Sequence, residues 1–551
     1  MLQPLHSNSI ESKQKDGIVS DLALVGSQGR VGFRGLCENK FLLGVSLFST
    51  LGGFLCGYAL GVLPNVLAIE SFGAKFPEIY TNAILKIGRR VSIICDAVIF
   101  ILGSLLQACA TSPVHLFAGR VIAGLAVGSL THVVPMYLAE ISCARIRGSL
   151  VSLQQLAITF GILVSYGIVC GTSQIGGTRC APGIPYTGTL PNGKLVFNPD
   201  TDVPPGGCTG QTQASWRAPL SFQILPALCL AIGMLFMPYS PRWLAERGRE
   251  VEALDTLTRL RRKPAQDRSV RTEFLEIMAE VRFAREVMKA AYPDAGPVMR
   301  IINKYLVLMT SWPKSKRLMV GCLIMTFQQN MGVATLVYFL PTIFSQLGLN
   351  PDTTSLLANG AYGIVNMLAN LLAIVLVDRV GRRPVLISGA AGCLLCLAII
   401  GSIVTIYGKD WPAHVVAAHT AIVFVFLYDA ILSYSWAPMG WVITSEIFPL
   451  HLRSSGMSIT ASVMWSSYFT AGLFAPTMLN PHAGGIGYWS SAAFSLGALL
   501  SAISFIPETK GRTLEEMDPV FRDNATDSQR ELKEGISREL GLPDRAFLNI
   551  L

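Results

Sequence analysis

The sequence predicts an all-α, polytopic membrane protein, and three observations carry that reading. Hydrophobic residues make up 51% of the chain and charged residues only 14%, against roughly 25% charged in a soluble protein. Mean hydropathy is +0.47. Runs of about 20 apolar residues recur, long enough as helices to cross a hydrocarbon core of ~30 Å. The charges are also segregated: most lie in the termini and in one block, residues 239–317. The net charge of +9 implies no nucleic-acid partner, because Lys and Arg gathered on cytoplasmic loops account for it.

In chain order, residues 1–40 are polar, carry Lys13, Lys15, Arg30, Arg34 and Lys40, and lack an apolar run. They read as a disordered cytoplasmic arm without a cleavable signal peptide. Apolar spans are predicted over 42–69, 91–110, 114–138, 150–172, 217–237, 318–345, 355–377, 384–407, 415–445, 455–478 and 488–506. Residues 173–216 form a loop rich in Gly, Pro and Thr. Residues 239–317 hold 17 Lys and Arg and must be cytoplasmic. Their helical periodicity shows in Val251-Leu254-Leu257-Leu260 and Phe274-Ile277-Met278-Val281. The short loops with Arg145/Arg147, Arg379/Arg382/Arg383 and Arg453 are placed inside. Those near 111–113, 346–354 and 479–487 lack Lys and Arg and are placed outside.

The expected division is a tail (1–40), a first helix bundle of five readable spans (41–238), a cytoplasmic helical linker (239–317), a second bundle of six spans (318–506) and a cytoplasmic tail (507–551). Most of the twelve cysteines sit in apolar spans, where small buried packing is the ordinary role. Cys393 and Cys396 form a CxxC pair without a second ligand pair, so no metal is expected there. Cys180 and Cys208 share the outer Gly/Pro loop, where a disulfide persists. Cys37 and Cys143, on the cytoplasmic side, are expected to stay reduced.

Two basic clusters punctuate the chain. One is Lys86-Ile87-Gly88-Arg89-Arg90, the other Asp378-Arg379-Val380-Gly381-Arg382-Arg383-Pro384. Their repetition suggests two homologous halves. Further motifs are Gly119-Arg120 followed by Pro135-Met136-Tyr137-Leu138-Ala139-Glu140; Arg147-Gly148; Pro238-Tyr239-Ser240-Pro241-Arg242-Trp243-Leu244; and Phe327-Gln328-Gln329 with Gly332. Ser445-Glu446-Ile447-Phe448-Pro449 with Arg453, and Pro507-Glu508-Thr509-Lys510-Gly511-Arg512-Thr513-Leu514-Glu515-Glu516, complete the set. In this order they resemble the sugar porter family of the major facilitator superfamily, closest to fungal sugar and quinate-type permeases, over roughly residues 40–520.

The resemblance implies two helix bundles around a site near the bilayer midplane and alternating access for a monosaccharide or related polyol or acid. The partners it implies are that small molecule, the lipid bilayer and, in some members, protons. No enzymatic site and no cofactor are expected, and the plasma membrane is the expected location. Amides suit sugar hydroxyls because each supplies donors and acceptors. Gln155, Gln328, Gln329 and Asn366 are therefore the candidate substrate ligands, with Trp441, Trp465 and Tyr338 as cavity aromatics and Trp436 nearby. Each intramembrane amide has an ordinary alternative, a helix–helix hydrogen bond. The resemblance also implies gating ion pairs at the cytoplasmic helix ends. They involve Arg120, Glu140, Arg147, Arg242, Asp378 and Arg382, with Glu446 and Arg453 in the second half.

Four departures from the family pattern stand out. Gly57-Tyr58-Ala59 lacks the carboxylate that proton-coupled members carry at the third position, which predicts a facilitator and leaves Arg120 without its expected partner. Ala334 replaces an Asn, and Met464 stands where an amide often precedes Trp465. Finally, Glu70, Lys75, Glu78 and Lys86 divide residues 70–90, so eleven spans are readable and the usual second span is missing. Either that segment threads through protein or the next span inverts and puts Arg89 and Arg90 outside. The other readings are a transport-inactive sugar sensor, disfavoured by a tail of modest length, and a nonfunctional splice product.

Overall fold

The computed structural model describes residues 40–56, 89–143, 146–177, 179–185, 187–189, 195–196, 201–204, 208–291, 305–333, 354–408, 411, 413–449, 452–478, 485–510, 521 and 527–541. The first-span motif ending at Ala59, the divided stretch before Arg89, Ala334 and Tyr338 lie outside them.

The described chain is helical apart from a two-residue ladder in the outer loop. The first half holds α1 (Lys40–Ser49, continuing apolar to Cys56), α2 (Arg89–Ala108), α3 (Pro113–Ile141), α4 (Arg147–Thr172), α5 (Ala214–Phe222) and α6 (Ile224–Met234). The linker holds α7 (Pro241–Glu246), α8 (Glu250–Arg261) and α9 (Arg268–Ala291). The second half holds α10 (Trp312–Asn330), α11 (Thr354–Val380), α12 (Arg382–Tyr407), α13 (Val415–Tyr434), α14 (Trp436–Glu446), α15 (Arg453–Met478) and α16 (Ile486–Ser504), followed by α17 (Asp527–Glu539) in the tail. Among the described residues, eight helices are long and apolar enough to cross a membrane. Helices α10 and α15 occupy two further expected spans but are more polar. The first carries Lys314, Lys316, Arg317 and two glutamines, the second a run of Ser and Thr.

Local chemistry sets the helix ends. Helix α3 starts where Ser112 accepts the backbone N–H of His115 and Pro113 occupies the first turn, since proline has no N–H to lose there. Helices α13 and α14 would be one span but break at Ser435, three residues before Pro438, whose ring cannot continue the ladder.

Helices α2 and α3 pack with backbones almost touching. A Cβ on Gly103 would fall 2.5 Å from the backbone nitrogen of Ala123, so only glycine fits. Gln107 closes the contact by donating Nε2–H to the Gly119 carbonyl at 3.1 Å. In the second half α12 packs on α13 and α16, and α10 on α15. Between the halves α4 lies along α11, and α3 meets α15. One buried cluster runs through both halves, from Leu42 and Phe100 to Trp436 and Ala498. The outward faces remain apolar, with Leu102, Leu105, Leu228, Ile232, Leu368 and Leu372 exposed. In a chain of this class that belt faces lipid.

The linker is a small packed layer in which Leu244 and Ala245 of α7 meet Ala253 of α8 and Ile277, Met278 and Val281 of α9. The buried face of α8 is Ala253-Leu257-Leu260, and Val251, expected to share it, is 76% exposed. Arg261 ties this layer to the bundle. It pairs with Glu273 at 2.6 Å and donates Nη1–H to the Ile141 carbonyl at 2.9 Å, a cation at a helix C-terminus. In the outer loop Cys180 and Cys208 are disulfide-bonded, and β1 (Gly188–Thr189) pairs antiparallel with β2 (Leu195–Val196).

Candidate functional site

Helices from both halves converge on the polar residues at mid-depth. Gln155 lies eight residues into α4 from Arg147, about 12 Å along the axis. Trp465 lies twelve residues from Arg453 and Asn366 twelve before Asp378, about 18 Å in each case. These depths fall in the middle of a ~30 Å core. Two hydrogen bonds join the halves there. The Trp441 indole Nε1–H donates to Gln155 Oε1 at 3.1 Å, and the Trp465 indole donates to Thr131 Oγ1 on α3 at 3.1 Å.

The amides behave differently from one another. Gln328 donates Nε2–H to the carbonyls of Ala437 at 2.7 Å and Trp436 at 3.2 Å, which ties α10 to the first turn of α14. Gly440 permits this approach, since a Cβ there would lie 2.9 Å from the Gln328 amide. Gln329 leans on its neighbour at 3.4 Å, and its Oε1 has no hydrogen-bond partner. Asn366 is engaged at both ends of its amide: Nδ2–H donates to Asp429 Oδ1 at 2.9 Å, and Oδ1 accepts from Asn370 Nδ2 at 3.1 Å. All four amides, then, already have protein partners that a substrate would have to share or displace, and of their buried atoms Gln329 Oε1 alone is left without one.

The cytoplasmic ends form a second polar cluster. Asp378 at the end of α11 accepts two hydrogen bonds at Oδ2 from Ser149 of α4, the backbone N–H at 2.9 Å and the hydroxyl at 2.6 Å. Arg382 reaches Asp378 at 3.2 Å and Glu446 at 2.9 Å, and all three are buried. Glu446 also accepts from the Thr509 hydroxyl at 2.7 Å. The Glu508 carboxylate accepts the backbone N–H groups of Arg382 and Arg383, each at 3.0 Å. Gly148 makes the close fit possible, since a Cβ there would sit 2.4 Å from Asp378 Oδ1. Arg453 donates to the Phe448 carbonyl at 3.1 Å. Arg147 and Arg242 are buried in the same region, and Arg120 is half-buried and engaged, so the expected loss of its partner does not leave it free.

Glu140 departs from expectation. Its partner is Arg89 at 2.7 Å rather than Arg147 or the Arg242 and Asp378 loops. Arg89 also reaches Glu246 of the linker at 3.5 Å. Arg90 stacks over Tyr239 at 4.5 Å, and the Tyr137 hydroxyl donates to the Pro238 carbonyl at 2.7 Å. Both arginines therefore stand at the linker end of the bundle. Helix α2 has the ordinary orientation, not the inverted one.

This arrangement, two helix bundles with amides and indoles meeting between them and charged clusters at one end, defines a membrane transport protein of the major facilitator type. The sugar (and other) transporter family model matches residues 63–521, and the chain belongs to that family. It is 31% identical to a quinate permease of Neurospora africana over 83% of this chain and 79% of that one. It is 28% identical to the glucose transporter GlcP of Staphylococcus epidermidis over 88% of this chain and 98% of the relative. Among solved structures, the proton:xylose symporter XylE bound to 6-bromo-6-deoxy-D-glucose superposes with a TM-score of 0.65, at 24% identity, over 87% of this chain and 99% of that one. Proteins of this family are transporters, not enzymes.

Sequence reasoning missed two buried membrane carboxylates. Asp96 in α2 is 4% exposed and Asp429 in α13 is fully buried. The signal was present, because a single Asp inside an apolar run is a functional candidate by default. Reading for sugar-binding amides passed it over. Thr131 and Ser149, small hydroxyls without a sequence signature, were also missed.

Proposed function

We propose that this chain moves a monosaccharide, or a related polyol or sugar acid, across the plasma membrane by alternating access between its two halves. The observation that carries the reading is the pair of indole hydrogen bonds, Trp441 to Gln155 and Trp465 to Thr131. They join the halves at mid-depth, and Gln329 of α10 holds an Oε1 without a hydrogen-bond partner. Indoles offer a ring face to a sugar and the amides its hydroxyl partners. The relatives named as quinate, glucose and hexose carriers support this substrate class. The cluster of Ser149, Asp378, Arg382 and Glu446 is the cytoplasmic gate, which breaks and reforms as the halves rock. Ala59 removes one titratable group from the first span and favours facilitated flux through that route.

The missing second span reduces folding yield in this reading, because its neighbours need that helix for packing. Inserting about 20 apolar residues before Gly88 raises surface expression. The test is uptake by the purified chain in proteoliposomes, using labelled D-glucose, D-xylose and quinate. Saturable uptake of at least one, competed by the unlabelled compound, is expected. Saturable binding without flux would make the protein a sensor instead.

A further inference from the structure

We propose that Asp429 is a proton-binding site that couples to the substrate through Asn366. This deepens the transport reading above and rests on it. Asp429 lies in α13, fully buried, where it faces α11 and α12. From α11, Asn366 donates to Oδ1 at 2.9 Å and the Tyr362 hydroxyl interacts with the carboxylate. From α12 comes Cys393, with Cys396 beyond it. On its own helix, Ser433 donates to Oδ1 at 3.4 Å, while the Tyr428 hydroxyl turns away to the Met331 carbonyl. No Lys, Arg or His among the described residues pairs with Asp429. Its Oδ2 is buried and accepts no hydrogen bond, which leaves an oxygen on which a proton can reside.

The link to substrate is the amide chain Asn370 to Asn366 to Asp429. An ionised Asp429 grips the Asn366 N–H in a charge-assisted hydrogen bond, about twice as strong as a neutral one. Adding a proton to Oδ2 neutralises the carboxyl and weakens that grip. Asn366 is then free to turn its N–H toward a substrate hydroxyl. Proton and substrate therefore favour each other's binding, and the coupling is reciprocal. Such a site would restore the titratable group that Ala59 removes, on a different helix and in the other half of the molecule.

The experiment uses the full chain in nanodiscs. D-glucose, D-xylose and quinate affinities are measured from about pH 5 to about pH 8, together with infrared titration of the substrate-free protein. The wild type is expected to lose affinity with rising pH, by up to ~10-fold per pH unit for one linked proton. Asp429→Asn, a mimic of the neutral acid, should bind at the wild type's low-pH affinity at every pH. The protonated-carboxyl infrared band should vanish in Asp429→Asn and shift in Asn366→Ala. If Asp429→Asn does not fold, Asn366→Ala reads the same group, because losing the donor at 2.9 Å must move the midpoint of the infrared titration. An unmoved midpoint overturns the proposal, as does a pH dependence that survives in Asp429→Asn and disappears in Asp96→Asn. A protein that binds none of the three probes at any pH contradicts the substrate class alone. The infrared band then decides the proton site by itself.

Discussion

Replacing Ser149 by alanine should loosen the cytoplasmic gate without disturbing the central residues. Ser149 and Asp378 are 229 residues apart in sequence and belong to different halves, yet the Ser149 hydroxyl sits 2.6 Å from Asp378 Oδ2. It is fully buried and Asp378 is 4% exposed. A hydrogen bond to a charged group contributes about 1.5–3 kcal/mol. The backbone N–H of Ser149, also on Oδ2 at 2.9 Å, is retained in Ser149→Ala, so what is lost is the one hydroxyl proton, which Asp378 shares with the Ile374 carbonyl of the same helix at 2.8 Å. In the proposed gate that energy is specific to the closed state, because the bond spans the halves. The equilibrium between closed and open cytoplasmic ends should then shift toward open by about 10- to 160-fold.

Spin labels on Glu250→Cys and Val380→Cys, in a background without reactive cysteines, report the separation of the two cytoplasmic ends. Both positions are exposed. The variant should populate a longer distance that is minor in the parent. Identical distance distributions, with melting also unchanged, would refute the assignment of this contact to the gate.

Gln328→Ala should lower both thermal stability and substrate affinity, because it removes the side-chain donor that ties α10 to the Trp436 and Ala437 carbonyls of α14. Gln329→Ala should weaken affinity by about 1–3 kcal/mol with little change in melting. The pair is checked by scanning fluorimetry beside binding isotherms. Arg89→Ala leaves the buried Glu140 without its cation and should destabilise the first half by about 3–5 kcal/mol. Arg89→Ala with Glu140→Gln should recover much of that loss in the same melting assay. Cys180→Ser should free the Cys208 thiol to maleimide and increase proteolysis of the outer loop, with transport affinity within about twofold, ~0.4 kcal/mol.

The class of fold was legible in the sequence because the length of an apolar run is a local property. A helix of 20 residues either spans the bilayer or does not, and the stretches that became α2, α3, α4 and α12 needed no partner to be read. The family followed from motifs whose order is itself sequence information. Boundaries inside a span were less legible. The break at Ser435 lies within one continuous apolar run, 415–445, and shows only when the backbone leaves the helix. The hydrogen bonds of Gln328 to the first carbonyls of α14 are likewise a contact that only the fold creates.

Apart from the Cys180–Cys208 disulfide, long-range partners were not legible. Nothing in the sequence near Glu140 points to Arg89, and the Gly148 and Ser149 fit against Asp378 depends on two halves docking. Val251 shows the limit of periodicity in a short, charged helix. Two registers of α8 present an apolar row, and contact with Leu244 and Ile277 selects the row of Ala253, Leu257 and Leu260.

The central claim is that substrate crosses only when the two halves rock about the site between them. Counterflow in proteoliposomes tests it most directly, with a cysteine pair replacing Ser149 and Asp378 across the gate. Preloaded unlabelled substrate should drive transient accumulation of label in the reduced state. Oxidation of the pair should abolish it and reduction should restore it, while the parent chain is indifferent to both treatments. Counterflow that continues at the same rate with the gate crosslinked would contradict the account.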